Sequence, residues 1–286
     1  MDSLNLTQIG VDPLFVIEET FLGYKYRKHK NRLYIDGLSF IPTNLIRLYY
    51  GLYPEGINFD LTKKNFIKKY IENECAIEEV HDKEEIDGIR EMYQYIHSDE
   101  IDDGFNIYTL KELHRILYSK VPYPEFGGKT RNDDRYLPGT GTDLCPWWMI
   151  NSRLFEISPE VDLLYRYAKE LRITRNVEHI LDFIEKVVKL NCELILIHPF
   201  PDGNGRCIRG FTNKLLESAG LPPIYVKLNE RTEYHKALNL ANTEGNYEDI
   251  INFYKYKICD SIIELDIDPR LKTEDENIKL KKIGTN

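Results

Sequence analysis

One short segment constrains this chain more than any other: LILIHPFPDGNGRCIRGFTNKLL, residues 194–216. An apolar run leads into His198. Pro199 disfavours helix at the residue before it, so the pattern predicts a helix that ends at His198 and turns that imidazole toward a loop. PFPDGNG is a compact turn in which Gly203 and Gly205 flank Asn204, and glycine reaches backbone conformations closed to other residues. Successive N–H groups of such a turn converge into an anion-binding concavity. A second helix begins near Gly205, and its unpaired N–H groups and positive dipole end face the same place. At ~100° per residue, Arg206 and Arg209 fall ~60° apart on one side, with Ile208, Phe211 and Leu215 clustered opposite. One face is therefore expected in the core while two planar, bidentate donors line the mouth of the loop. Asp202 has the character of a Mg²⁺ ligand, since that ion takes one carboxylate plus phosphates and water. His198 is the nearby side chain able to accept a proton at neutral pH. The constellation predicts transfer of a phosphate-containing group from a nucleotide to a hydroxyl.

The rest of the chain sets the frame. Its 286 residues are enough to bury a core without staples, and 42% apolar with 30% charged residues exclude wholesale disorder. The 38 basic against 47 acidic residues give a net charge of −9, a poor balance for direct nucleic-acid binding. No stretch approaches ~18 consecutive apolar residues, so no membrane span is expected. MDSLNLTQIGVDP lacks the basic start and apolar core of a secretion signal. Five scattered cysteines without a C-x-x-C pair fit free thiols in a reducing, cytoplasmic setting. The seven histidines form no H-x-x-x-H or H-E-x-x-H pattern, so no transition-metal site is expected.

Three regions follow from the pattern. Residues 1–70, rich in Tyr and Gly, have no legible architecture. Residues 71–265 form the main, all-α domain, and apolar residues recur at helical spacing over 65–97, 109–119, 159–171, 176–197, 205–218 and 246–264. Residues 266–286 turn polar and read as a frayed tail. The basic stretch YKYRKHKNR, residues 24–32, is read as a solvated turn or face, with contact to an acidic partner as the alternative. GGKT at 127–130 imitates the end of a P-loop, but Tyr123 stands where that motif needs its first Gly.

HPFPDGNGRCIR, residues 198–209, meets every fixed position of H-x-F-x-[DE]-G-N-G-R-x-x-R, the signature of the Fic family. LKELHRIL (110–117) and FGGKTR (126–131) resemble the family's flanking helix and Gly-Arg segment, and residues 219–264 resemble the region after the motif in animal endoplasmic-reticulum members. The resemblance covers roughly 71–264. It implies a Fic/Fido-type helical fold with a short β-hairpin flap at 129–150, and protein AMPylation from Mg²⁺-ATP. By the same resemblance His198 is the general base and Asp202 the Mg²⁺ ligand. Gly203, Asn204, Gly205 and Arg206 hold the α- and β-phosphates, Arg209 reaches the γ-phosphate, and Tyr234 and Asn242 contact the adenosine. Relatives with kinase or phosphocholine-transferase activity carry A-N-K-R or A-N-G-R in place of Gly203–Arg206, and this chain does not.

Many Fic proteins silence themselves through [ST]-x-x-x-E-[GN], whose Glu pairs with the second motif Arg. No full match exists here. ENECAIEE, residues 72–79, resembles that segment with Glu78 in the key place, Glu74 for the Ser/Thr and Glu79 for the Gly. Glu78 is thus expected to be inhibitory. A target protein is expected to dock on the flap by strand addition, with self-modification as a further outcome. Of the Trp147–Trp148 pair at least one is expected buried, a hydrophobic target contact being the alternative. Two other readings are kept: removal of AMP on the same fold, and a catalytically silent nucleotide-binding regulator.

Overall fold

The computed structural model describes residues 16–21, 24–29, 32–36, 42–52, 64–102, 104–137 and 140–265. The tail at 266–286 and the first thirteen residues, both read above, lie outside the described residues. Three strands, β1 (Val16–Phe21), β2 (Tyr24–His29) and β3 (Arg32–Asp36), form an antiparallel meander in the order β1-β2-β3, with Tyr26 opposite both Glu18 and Ile35. The basic stretch read as a turn or face is largely β2.

Nine helices follow among the described residues: α1 (Pro42–Leu52), α2 (Lys64–Ile77), α3 (Lys83–Ile96), α4 (Thr109–Leu117), α5 (Ile150–Thr174), α6 (His179–Ile197), α7 (Asn204–Ser218), α8 (Arg231–Glu244) and α9 (Glu248–Leu265). The all-α expectation holds for the domain that carries the motif. Its centre is the α6–α7 hairpin. α6 is apolar around most of its circumference, the pattern of a helix enclosed by others. In α7, 13 of 15 residues are buried, polar ones included. Those polar groups are paired within the core, as burial demands. Asn213 exchanges two 2.9 Å bonds with the backbone of Ile224, and Asn191 Nδ2 donates to Thr212 Oγ1 at 3.0 Å. α3, α4 and α5 pack around α7, while α8 and α9 cover α6.

Several boundaries differ from the sequence reading. The span 65–97 is two helices, because the chain reverses at Glu79 with φ of 57°. α5 begins at Ile150 and runs through Pro159, since Ile150, Leu154, Ile157, Val161 and Leu164 form one buried stripe across the proline. α8 escaped notice because its buried face, Tyr234, Ala237, Leu238 and Ala241, is half alanine. The region 1–70 is not separate as a whole: Leu45, Ile46, Tyr49 and Tyr50 of α1 belong to the same hydrophobic core as α2–α9. Among the described residues no helix is long and apolar enough to cross a membrane.

Candidate active site

The site is built at the turn between α6 and α7. α6 closes on His198 itself, which adopts φ 45°, ψ 62° and donates its N–H to Leu194 at 3.0 Å. Arg131 holds that end. Its buried guanidinium donates to the carbonyls of His198 at 2.7 Å, Asp133 at 2.7 Å and Ile197 at 3.4 Å, and to Cys145. Cationic donors at a helix C-terminus satisfy carbonyls that lack helical partners and oppose the dipole. Burial, with Arg131 adding to it, lowers the pKa of His198 to about 4, so the imidazole is a free base at neutral pH.

The loop is stapled from within. Asn204 Oδ1 accepts from the Phe200 N–H at 2.9 Å and Asn204 Nδ2 donates to the Phe200 carbonyl at 2.8 Å. The Asn204 side chain is thus committed to the loop, and its contribution to an anion is the backbone it fixes. His114, absent from the sequence candidates, is a second staple. Its Nδ1 accepts from the Gly128 N–H at 2.8 Å, which leaves Nε2 to donate to the Asp202 carbonyl at 3.0 Å. Its ring stacks on Phe200 at 3.9 Å, and burial lowers its pKa to about 4. Gly203 sits at φ 71° as the N-cap of α7, where any other residue would be strained.

Both motif arginines are enclosed by carboxylates. Arg206 donates through Nη1 to Glu85 at 2.7 Å and through Nη2 to Asp202 at 3.2 Å and Tyr118 Oη at 3.3 Å. Tyr118 in turn donates to Asp202 Oδ2 at 2.7 Å. Partial desolvation raises the Asp202 pKa, and the Tyr118 hydrogen bond with the Arg206 charge reverses this and holds it below the usual range. Arg209 donates to Glu74 through Nε at 3.0 Å and Nη2 at 2.8 Å, and to Glu78 Oε1 through Nη2 at 2.6 Å. A Cβ on Gly205 would collide with the Glu78 carboxylate. Glu78 therefore occupies the first turn of α7, where an anion would sit. Burial pushes its pKa up, and Arg209, then Arg206, outweigh that and bring it below the usual range.

Of the sequence candidates, Asp202, Gly203, Gly205, Arg206, Arg209 and Glu78 lie at this one helix end. Tyr234 does not. It is 1% exposed, and its ring packs on Phe253 at 5.4 Å. Asn242 is half-buried on α8 with an Oδ1 that has no partner among the described residues. Asp202 presents an exposed carboxylate beside the anion cradle, and among the described residues no three His, Cys, Asp or Glu converge into a metal cage. That donor set fits a Mg²⁺ ion whose other ligands are phosphate and water.

The flap expectation is corrected. No strand is assigned among the described residues of 129–150. The reason is the use of its backbone: the N–H groups of Arg131 and Cys145 are bound to Pro199 and Leu196 at 2.9 and 2.8 Å, and the Arg131 side chain ties Asp133 to Cys145. Its described residues around Arg131 and Cys145 close on the end of α6. Trp147 and Trp148 are both exposed, 42% and 62%, against the expected burial of one.

A helical bundle with this hairpin at its centre has the fold of Fic-domain proteins. A Fic-domain signaling protein of Bacteroides thetaiotaomicron superposes with a TM-score of 0.60 at 16% identity, over 78% of this chain and 95% of that one. Fic-1 of Caenorhabditis elegans superposes with a TM-score of 0.55 at 20% identity, over 78% and 69%. Residues 104–216 match the model of the Fic/DOC family. Among curated proteins, protein adenylyltransferase Fic of Drosophila erecta is 29% identical over 216 residues, 72% of this chain and 38% of its own length. Protein adenylyltransferase fic-1 of C. elegans is 29% identical over 140 residues, 49% of this chain and 25% of its own. The chain thus spans well under half the length of these relatives.

Proposed function

We propose that this protein is an adenylyltransferase that moves AMP from Mg²⁺-ATP to a hydroxyl side chain of a target protein, and that Glu78 holds it in check. The observation that carries the reading is the convergence of both motif arginines and Asp202 on one helix N-terminus, with a carboxylate seated where a phosphate belongs. The names of the relatives support the direction of transfer.

Three groups divide the work. The α7 N-terminus and the Asn204-braced loop bind the α- and β-phosphates, Arg206 neutralises charge on them, and Arg209 meets the terminal phosphate. His198, deprotonated at neutral pH, accepts the target hydroxyl's proton as the oxygen attacks the α-phosphorus in line. Asp202 would hold Mg²⁺, which when bound neutralises the departing pyrophosphate. Asn242 offers an acceptor for the base. The loop at 129–150, with Trp147 and Trp148, is the docking side for the target, and the chain itself is a candidate target. The charge balance argues against nucleic acid as partner. The proposed location is the cytoplasm, on the thiols.

The test is label transfer from α-labelled ATP in whole lysate. Glu78→Gly should raise labelling at least tenfold, because it removes a charged group from the phosphate site. His198→Ala in that background should abolish transfer and retain ATP binding. Labelling that survives His198→Ala would remove the proposed base.

A further inference from the structure

Arg209 meets its two carboxylates on different edges. The Nε–Nη2 edge is filled by Glu74, which accepts from Nε with both oxygens at 3.0 Å and from Nη2 at 2.8 Å. The far edge is Nη1 and the second Nη2 proton. Nη2 reaches Glu78, and Nη1 would lie 2.8 Å from a Cβ on Gly205. Glu74 is 0% exposed, whereas the Glu78 side chain keeps 25% exposure. Every contact Glu74 makes here is one it accepts from a guanidinium, which is the pattern of an ionised carboxylate. A phosphate entering along α7 can displace Glu78, but it cannot reach the edge that Glu74 fills.

We propose, resting on the nucleotide site argued above, that Glu74 is a positioning and specificity-determining residue: it turns Arg209 end-on to the cradle and halves its charge between two anions. Two consequences have opposite signs. With Arg209 already neutralised from behind, the terminal phosphate of a nucleoside triphosphate gains little over a diphosphate, so ATP and ADP bind with similar affinity once Glu78 is gone. For the same reason Glu78 is held less tightly than by a lone guanidinium, and the latch opens more readily.

The experiment measures ATP and ADP dissociation constants, each with Mg²⁺, by calorimetry. It compares Glu78→Gly with Glu78→Gly/Glu74→Gln and Glu78→Gly/Glu74→Asp. Gln keeps the shape and removes the charge. It should raise the ATP-over-ADP preference about tenfold, the size of one charge-assisted hydrogen bond, and Asp should keep the parent ratio. In the otherwise native chain, Glu74→Gln should lower label transfer about threefold, as Arg209 grips Glu78 harder. A merely structural Glu74 would weaken both nucleotides alike and loosen the latch. If Glu74→Gln fails to fold, Glu74→Thr is read in its place. A folded neutral variant with an unchanged or smaller ATP-over-ADP ratio overturns the proposal while leaving the nucleotide site standing. If Glu78→Gly binds neither nucleotide, the site reading fails and takes the proposal with it.

Discussion

His198 is the residue on which the rate should depend, and its surroundings set the pH range in which it works. An unperturbed imidazole, near ~6.5, would lose base function as the solution turns mildly acidic. Here burial first and Arg131 second bring it to about 4. For Glu78→Gly, kcat/KM for transfer is therefore expected to stay level from pH 7.5 down to about 5 on the acid side and to fall only nearer 4. A half-point near 6.5 would show that the imidazole is solvated in the working enzyme. Position-by-position reading of the motif found most of this chemistry, because spacing on a helix fixes which side chains share a face. Glu78 was legible only through the likeness of ENECAIEE to an inhibitory segment, and it stands just past the end of α2. Position-by-position reading did not find the role of Glu74, because a departure from [ST]-x-x-x-E says only that a hydroxyl is missing. Nor did it find Arg131 and His114 as staples, since their partners are backbone carbonyls and amides that carry no residue identity.

At the scale of elements, the latch proposed for Glu78 depends on how α2 ends. The Val80 N–H bonds to the Cys75 carbonyl at 2.9 Å, a Schellman-type close that places Glu79 at φ 57°. Glycine is the residue of choice there, and a side chain costs on the order of 1 kcal/mol. Glu79 is held in that conformation with an exposed ion pair to Arg231 at 2.5 Å, a contact worth little at the surface. Glu79→Gly should therefore raise stability by roughly 1 kcal/mol, or about 2–4 °C in melting temperature for a domain of this size. It should leave label transfer at or below the native level, because the turn that presents Glu78 is better fixed. A fall in melting temperature would mean that the Arg231 pair matters more than the strain. Helices with full-size apolar stripes were legible in the sequence, α6 and α7 above all. The strands were not, because Tyr-Lys-Tyr-Arg-Lys-His alternates aromatic and basic residues and its charge invites the reading of a solvated face. The hairpin at 129–150 was expected by likeness alone, and contacts to α6 use the backbone groups that a hairpin would have paired.

Over the whole molecule, four carboxylates from separate parts of the chain converge on the α7 arginines. Two buried guanidinium groups of α7 are met by Glu74 of α2, Glu78 of the turn that follows it, Glu85 of α3 and Asp202 of the motif loop. This assembly depends on long-range packing of α3 and α4 on α7, and no local pattern announces Glu85, seven residues past Glu78, as a partner of Arg206. The two neutral imidazoles beside it make folding depend on acid. In the unfolded chain His114 and His198 take up protons near ~6.5, whereas in the fold both are pushed down to about 4. Between those values the unfolded state binds more protons, so stability is lost as pH falls through that window. From pH 7 to pH 5 each histidine should remove about 2 kcal/mol. Glu74, raised by burial, takes up its proton in the fold before it does in the unfolded chain, so its contribution has the opposite sign. Glu78 and Asp202, both lowered, contribute only below the ordinary carboxylate range of ~4. Thermal melts of the native chain and of His198→Ala at pH 7, 6 and 5 separate these effects. The native melting temperature should drop on acidification, and the drop should be smaller in His198→Ala by the share of one histidine. Parallel curves for the two proteins would place the His198 imidazole in contact with solvent, and the proton acceptor assigned to it would then titrate in the ordinary range.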